Sequence, residues 1–120
     1  MFDIIFYENS KGEKPIEVYI RNLKNQQSKD ARIKANKIIE YMRKLSEFGT
    51  RVGLPEVDKI EGEEDLWELR PLKDKIFFAY WKDSTFVLLH HFVKKSQKTP
   101  KSEIMQAKRN LKDWLERYGK

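Results

Sequence analysis

Apolar residues recur at intervals of three and four in three stretches of the chain, which is the spacing of one helix face. The clearest stripe follows Ser28, which can cap the first turn, and stops before Gly49, which can end the helix. A shorter stripe follows Pro15, and the last one follows Thr99 as a cap and Pro100 at the first helical position. The pattern therefore predicts amphipathic helices over 16–23, 28–48 and 100–118.

Four short stretches are rich in aromatic and β-branched residues, as strands are. They cover 2–7, 66–70, 76–81 and 86–93. In the second stretch Trp67 and Leu69 point to one face, and Glu68 and Arg70 point to the other. Turn-forming residues at 71–74 and 82–85 separate the last three stretches, which predicts an antiparallel meander.

The predicted element order is β-α-α-β-β-β-α. Because helices and strands segregate along the chain, this order predicts the α+β class, with helices covering one face of a mostly antiparallel sheet. The first strand must then pair with the meander after two helices have intervened. No internal repeat or linker divides the sequence, so we expect residues 1–120 to form a single domain.

The composition excludes several classes of protein. Hydrophobic residues make up 39% of the chain and aromatic residues 12%, which is too much apolar material for a disordered protein. There is no Cys, so disulfides and thiolate metal sites are excluded. The chain shows neither a signal peptide nor a stretch that could cross a bilayer, so we expect a cytoplasmic protein that does not contact membranes.

The net charge of +6 is concentrated in the last quarter of the chain. Residues 94–120 contain nine Lys and Arg against three Asp and Glu, so the rest of the chain is neutral. A basic segment of this kind fits a polyanionic partner, because Lys and Arg that contact phosphates release counterions. A solvated, lysine-rich helix that keeps the protein soluble accounts for the same charge, and the two interpretations stay open.

Few residues suit a metal or a catalytic triad. The histidines His90 and His91 are adjacent and face opposite ways in a strand, so they cannot bind one ion together. His90 should share a face with Leu88 and Phe92, which favours a partly buried, hydrogen-bonded histidine over a catalytic one. The acidic segment 61–65 favours a solvated loop over a magnesium site. With no Gly-rich phosphate loop either, we expect no metal and no cofactor.

Cations stand where the predicted strands end. Arg70 closes its strand on the same face as Glu68, and Lys73 and Lys75 lie in or beside the next turn. In an antiparallel meander the end of one strand lies near the start of the next, so Arg70 and Lys75 should be neighbours. Converging cations suit a phosphate, and Arg can bind two of its oxygens. Three more lysines follow the last strand, namely Lys94, Lys95 and Lys98, and the sheet order decides whether Lys94 and Lys95 join the group.

Three segments together resemble the phage-derived, HigB-like branch of the RelE/ParE toxins: LWELRP at 66–71, IFFA at 76–79 and LHHFVKKSQKTP at 89–100. The motifs are specific in combination and weak singly, and the resemblance covers nearly the whole chain. It implies a RelE-like microbial RNase fold and the toxin of a type II toxin-antitoxin system. Such a toxin is a metal-independent endoribonuclease that cleaves mRNA on the ribosome by attack of the ribose 2′-hydroxyl.

The resemblance also implies partners. The toxin would be held inactive by a cognate helix-turn-helix antitoxin of the HigA kind in a hetero-oligomeric complex. It would act on the ribosome and its mRNA, and it would contact DNA only through the antitoxin.

By motif position, the resemblance implies roles for individual residues in a reaction that needs a base, cations for the phosphate and an acid. Lys75 would stabilise the phosphate and Arg70 would assist. Lys95, with Lys94 beside it, would supply the acid. Glu68 would be either the base or an ion-pair partner of Arg70. Further RNA contacts are assigned to a polar set: Lys73, Gln97, Lys98 and Lys101.

His91 departs from the family pattern, because this branch usually has Gly there. A side chain therefore stands near the active face where the family leaves room. We expect Lys75 and Lys95 to be exposed enough that truncating either creates no cavity. Two other functions stay open: a ParE-like toxin that poisons gyrase on the same fold, and a non-catalytic RNA-binding module. The cations at the strand ends favour the ribonuclease.

Overall fold

A mixed five-stranded sheet lies at the centre of the computed structural model, which describes residues 1–120. The helices are α1 (Pro15–Asn25), α2 (Lys29–Phe48) and α3 (Lys101–Tyr118), and a 3-10 turn (Gly49–Val52) follows α2. The strands are β1 (Asp3–Phe6), β2 (Val57–Lys59), β3 (Trp67–Leu69), β4 (Asp74–Tyr80) and β5 (Thr85–Val93). The predicted α+β class is confirmed, and the architecture is compatible with a RelE-like fold.

The strand order in the sheet is β1-β5-β4-β3-β2. Strands β2 to β5 pair in antiparallel fashion, and β1 returns to pair in parallel with β5, where Ile4 lies opposite Phe86. The first strand therefore does join the meander. The predicted order lacked β2, because a strand of three residues, VDK, carries too few positions to show a period of two.

Helices cover both faces of the sheet, so the expectation of a single covered face was wrong. On one face α1 and α2 pack against β3, β4 and β5, with Ile38 of α2 in one core with Phe78 and Leu88. On the other face α3 covers β4 and β5, with Trp114 in one core with Phe77. Strands β4 and β5 are apolar at consecutive positions, and a strand that is apolar on both faces needs a covering layer on each.

The ends of α2 follow the sequence signals, and the start of α3 differs by one residue. The Ser28 hydroxyl accepts a hydrogen bond from the Ala31 N–H at 2.9 Å, and Gly49 follows the helix with a φ of +62°. A side chain on Gly49 would collide with the Phe2 ring, since an added Cβ would lie 2.8 Å from it. At α3 it is Pro100 that occupies the cap position, without a side-chain hydrogen bond, so the predicted capping by Thr99 was wrong.

A β-bulge interrupts β5 between Leu88 and His90. These two residues lie opposite Phe78 and Phe77, which are adjacent in β4, so Leu89 is the extra residue. Leu88 packs under α1 and α2. His90 faces α3 instead, and its Nε2 lies 2.7 Å from Oε1 of Glu103 in the first turn of that helix. The prediction that His90 and Leu88 share a face was therefore wrong. The prediction that His90 is partly buried and hydrogen-bonded is confirmed.

Asp74, the first residue of β4, is completely buried among polar groups of three other elements. Its Oδ1 accepts a hydrogen bond from the Tyr19 hydroxyl of α1 at 2.9 Å and lies 2.9 Å from Nε2 of His91 in β5. The Lys34 Nζ of α2 lies 3.9 Å from Oδ2. His91 also stacks on Tyr19, with ring centroids 3.9 Å apart. The His91 side chain, where the resemblance led us to expect Gly, is therefore part of this largely buried network.

The charge of Asp74 is stabilised by this network. Burial by itself would raise the pKa of Asp74, but hydrogen bonds from His91 and Tyr19 and the charge of Lys34 outweigh it, so that the pKa lies below its usual value. Its Oδ2 has no hydrogen-bond partner and depends on Lys34 alone. A carboxyl with a lowered pKa adds stability above the unfolded-state pKa of about 4 and loses it as the pH falls through the lower folded-state pKa.

We predict that Asp74→Asn lowers the free energy of unfolding by about 1–3 kcal/mol near pH 7, because a neutral amide weakens the charge-assisted hydrogen bonds. The difference from wild type should shrink below a pH of about 4, since wild type must then protonate the same group. Urea unfolding at a series of pH values measures both effects. Equal stability near neutral pH, or a difference that stays constant in acid, would contradict this role.

A cationic cleft at the end of the sheet

The turn between β3 and β4 and the segment after β5 meet at one end of the sheet. Because β4 and β5 pair in antiparallel register, the chain leaving β5 passes beside the turn that enters β4. The Lys94 N–H donates to the Lys73 carbonyl at 2.8 Å, which extends the ladder by one bond. The sheet order therefore brings Lys94 and Lys95 next to Arg70 and Lys73, which the sequence left undecided.

An open cleft with a volume of about 900 Å³ lies between these segments. Its lining includes no acidic residue and five cations: Arg70, Lys73, Lys75, Lys94 and Lys95. The other lining residues are polar or apolar: Tyr41, Pro55, Leu72, Val93, Ser96 and Gln97. Six of the residues that the sequence assigned to catalysis or RNA binding thus line one cavity, namely the five cations and Gln97. We call this cavity the cationic cleft.

Two residues assigned to RNA binding do not line the cationic cleft. Lys98 is exposed in the loop between β5 and α3, and Lys101 is exposed at the first position of α3. Both lie on the chain just beyond Gln97, which does line the cleft. An RNA contact by either lysine therefore needs a strand that extends out of the cleft along this loop.

Lys75 is almost completely buried, with 3% of its surface exposed, so the expectation that it is exposed was wrong. It lies on β4, which has β3 on one side and β5 on the other. Its Nζ lies 3.5 Å from Oε1 of Glu68, and Nε of Arg70 lies 3.5 Å from the same oxygen. Arg70 also lies 3.7 Å from Oδ2 of Asp58 on the neighbouring strand.

Glu68 therefore bridges two cations. The pairing of Glu68 with Arg70 agrees with their predicted positions on one face, and it extends to Lys75. Glu68 itself is 9% exposed and does not line the cationic cleft. It is thus the charge partner that allows a buried lysine and an arginine to lie side by side.

The pKa of Lys75 lies below its ordinary value. Burial is the largest cause, since it disfavours the charged amine. Glu68 opposes the shift, and the charges of Arg70 and Lys94 add to it. Crowding by cations therefore does lower the pKa of this lysine, as expected, but it contributes less than burial. Lys95 differs from Lys75, because it is exposed as predicted.

Sequence reasoning missed the apolar part of the cleft. Tyr41 lies on α2 beside the stripe that faces the core, and nothing in its spacing marks it as a cleft residue. Leu72 was placed in a turn, but its side chain is 52% exposed and its φ is +59°. An apolar residue in a turn of Pro, Lys and Asp is the one signal that could have drawn attention to it.

The acidic segment before β3 packs against α3. Glu63 of this segment pairs with Lys108 of α3 at a distance of 3.2 Å. No group of three or more His, Cys, Asp or Glu side chains is arranged to hold a metal ion. None of the helices is both long and apolar enough to cross a lipid bilayer.

Comparison with known proteins gives one family. None of the curated proteins matches the chain. A family model described as phage derived protein Gp49-like (DUF891) matches residues 21–112, more than three quarters of the chain. The matched range includes α2, strands β2 to β5 and all five cations of the cationic cleft. The chain therefore belongs to the Gp49-like family, a toxin-like family of the RelE/HigB type.

Proposed function

We propose that this protein is the HigB-like toxin of a type II toxin-antitoxin system and that it cuts mRNA on the ribosome in the cytoplasm. The observation that carries the proposal is the cationic cleft, where five cations and no acidic side chain line one open cavity. A cavity of this kind attracts a polyanion and stabilises further negative charge on a bound phosphate. Membership of a toxin-like family supports the same function.

In the proposed reaction the ribose 2′-hydroxyl passes its proton to the uncharged form of the Lys75 amine, and its oxygen bonds to the adjacent phosphorus. The bond from phosphorus to the 5′-oxygen breaks, and that oxygen takes up a proton. Arg70 and Lys75 stabilise the charge that develops on the phosphate. Lys95, with Lys94 beside it, donates the proton to the 5′-oxygen.

Glu68 suits the role of a charge partner better than that of a base. It lies 3.5 Å from both Arg70 and Lys75, and it is not part of the cleft surface. Its carboxylate is already engaged by two cations and has no place on the cleft wall from which to reach a ribose hydroxyl. The lowered pKa of Lys75, in contrast, eases proton exchange at its amine, which makes Lys75 the better candidate for proton transfer.

We predict that Lys75→Met and Lys95→Ala each reduce mRNA cleavage on programmed ribosomes by about 100- to 1000-fold, as loss of one charge-stabilising donor has done elsewhere. Met fills the buried position of the lysine stem without its charge, so the variant avoids the cavity that Ala would leave. Primer extension on a ribosome-bound message measures the cleavage. Lys112→Ala, at an exposed position on α3 whose side chain is 80% accessible, is the matched control and should cleave normally.

Thermal melting distinguishes a lost activity from a lost fold in each variant. Full activity in both folded cleft variants would contradict the assigned roles.

Cleavage by wild type should persist in EDTA when ribosome integrity is maintained separately. Binding of RNA without any cleavage would show a non-catalytic module, and inhibition of gyrase without RNA cleavage would show a ParE-like toxin. Either result would overturn the proposal.

The proposed partner is a small helix-turn-helix antitoxin that covers the cationic cleft. We predict that its association rate falls by at least tenfold between about 0.05 and 0.5 M salt, because screening weakens attraction to a cationic surface. Lys73→Glu should slow association, while Lys112→Glu makes the same charge change far from the cleft and should have little effect. Stopped-flow mixing with the purified partner measures the rates. If neither salt nor Lys73→Glu changes the rate, the partner silences the toxin from another surface.

A further inference from the structure

Leu72 combines a strained backbone with an exposed side chain. The Asp74 N–H donates to the Pro71 carbonyl at 3.1 Å, so Leu72 and Lys73 are the central residues of a four-residue turn. Leu72 has a φ of +59°, and Lys73 does not have a positive φ. A turn with a positive φ at its first central residue alone favours Gly there, because a Cβ is crowded in this conformation.

The rest of the chain avoids this combination. Five glycines occupy positive φ values, and the other non-glycine residues that do so are Asp83 and Ser84, which are small and polar. These two form the tight turn between β4 and β5, where such residues are tolerated. Leu72 is the one apolar side chain with a positive φ, and it is 52% exposed, so the strain gains no burial.

The strained turn is fixed on both sides. Pro71 is buried before it, and Asp74 after it is held by Tyr19 and His91 at 2.9 Å each. A backbone strain that persists in a firmly held segment is typical of functional sites. The anchored turn therefore presents the Leu72 side chain at one fixed place on the wall of the cationic cleft.

The surroundings of Leu72 indicate what it contacts. It lines the cationic cleft with Val93, whose exposed fraction is 37%, and with Tyr41, while Lys73 follows it in the chain. Leu72 and Val93 also line an adjoining cavity, where Ile33 of α2 is the one further apolar residue. A helix of a protein partner would insert several apolar side chains, spaced over two turns, into an apolar groove. A single flat ring needs less, because two aliphatic side chains and part of an aromatic one can cover it. A ring attached to a phosphate fits both parts of the cleft.

We propose that Leu72, with Val93 and Tyr41, forms a subsite for one nucleobase of an RNA strand whose phosphate lies among the cations. Apolar side chains pack against bases in other nucleic-acid complexes. Such packing depends little on which of the four bases is present, because every base has a flat face. The inference rests on the proposed function, because it places RNA in the cationic cleft. It requires binding only, so it can fail or hold independently of cleavage.

The test compares Leu72→Gly with Leu72→Met in the full chain. Gly relieves the strain and removes the side chain, so Leu72→Gly should melt at the same temperature as wild type or higher. Leu72→Met keeps an apolar side chain and should bind RNA like wild type. The probe is a short 2′-O-methyl RNA, which lacks the attacking hydroxyl, and fluorescence anisotropy at low salt measures its affinity. We expect Leu72→Gly to weaken binding by about tenfold or more.

A second set of probes identifies the group that Leu72 contacts. Each probe carries one abasic position, and at one of these positions wild type should lose about as much affinity as Leu72→Gly loses with intact RNA. With that probe, Leu72→Gly should cause no further loss, as expected for two changes that remove one contact.

Several results would overturn the subsite. The first is that wild type does not bind the probe. The second is that Leu72→Gly loses the same affinity for intact and for abasic RNA. The third is a clear fall in the melting temperature of Leu72→Gly. Unchanged RNA binding together with lost binding of the helix-turn-helix partner would assign the surface to a protein instead. Cleavage on ribosomes is measured separately, so failure of the subsite does not imply failure of the proposed function.

Discussion

The carboxylate of Asp74 connects the core of this protein to its cleft. It is completely buried, yet it keeps its charge because groups from α1, α2 and β5 surround it. An ionised group in this position is stable only while its partners stay in place, since an unpaired buried charge is strongly destabilising. Asp74 stands between Lys73 and Lys75 in the chain, and both of these line the cationic cleft. The same contacts that hold two helices on the sheet therefore also fix the backbone that presents two of the five cations.

The cationic cleft concentrates like charges, and this arrangement is costly unless something opposes it. Glu68 opposes it from below the surface, where one of its oxygens lies 3.5 Å from both Lys75 and Arg70. The exposed cations Lys73 and Lys95 remain in contact with water, which screens their mutual repulsion. Arg70 and Lys75 thus have carboxylate partners within the protein, whereas Lys73, Lys94 and Lys95 on the cleft wall have none. A phosphate that enters the cleft finds donors that have no other anionic partner among the lining residues.

Much of the fold could be predicted from local patterns, and the site could be predicted in part. The helix stripes, the cap at Ser28 and the meander depend on neighbours in sequence, and the turn between β3 and β4 makes Arg70 and Lys75 close for the same reason. The burial of Lys75 could not be predicted, because it depends on strands that pair on both sides of β4. The face of the sheet that each helix covers likewise depends on contacts between residues far apart in the sequence. The role of His91 was also hidden, since its partners come from elements far apart in the chain.

The bulge at Leu89 also has a consequence for α3. An extra residue in a strand leaves a backbone group without its regular partner in the ladder. The Leu89 carbonyl accepts a hydrogen bond from the Asn110 side chain of α3 at 2.8 Å. This bond forms at one position along the helix, and sliding α3 by a single turn would leave both groups unpaired between packed layers. An irregularity in the sheet therefore selects one alignment of the last helix, which an apolar interface alone would specify only weakly.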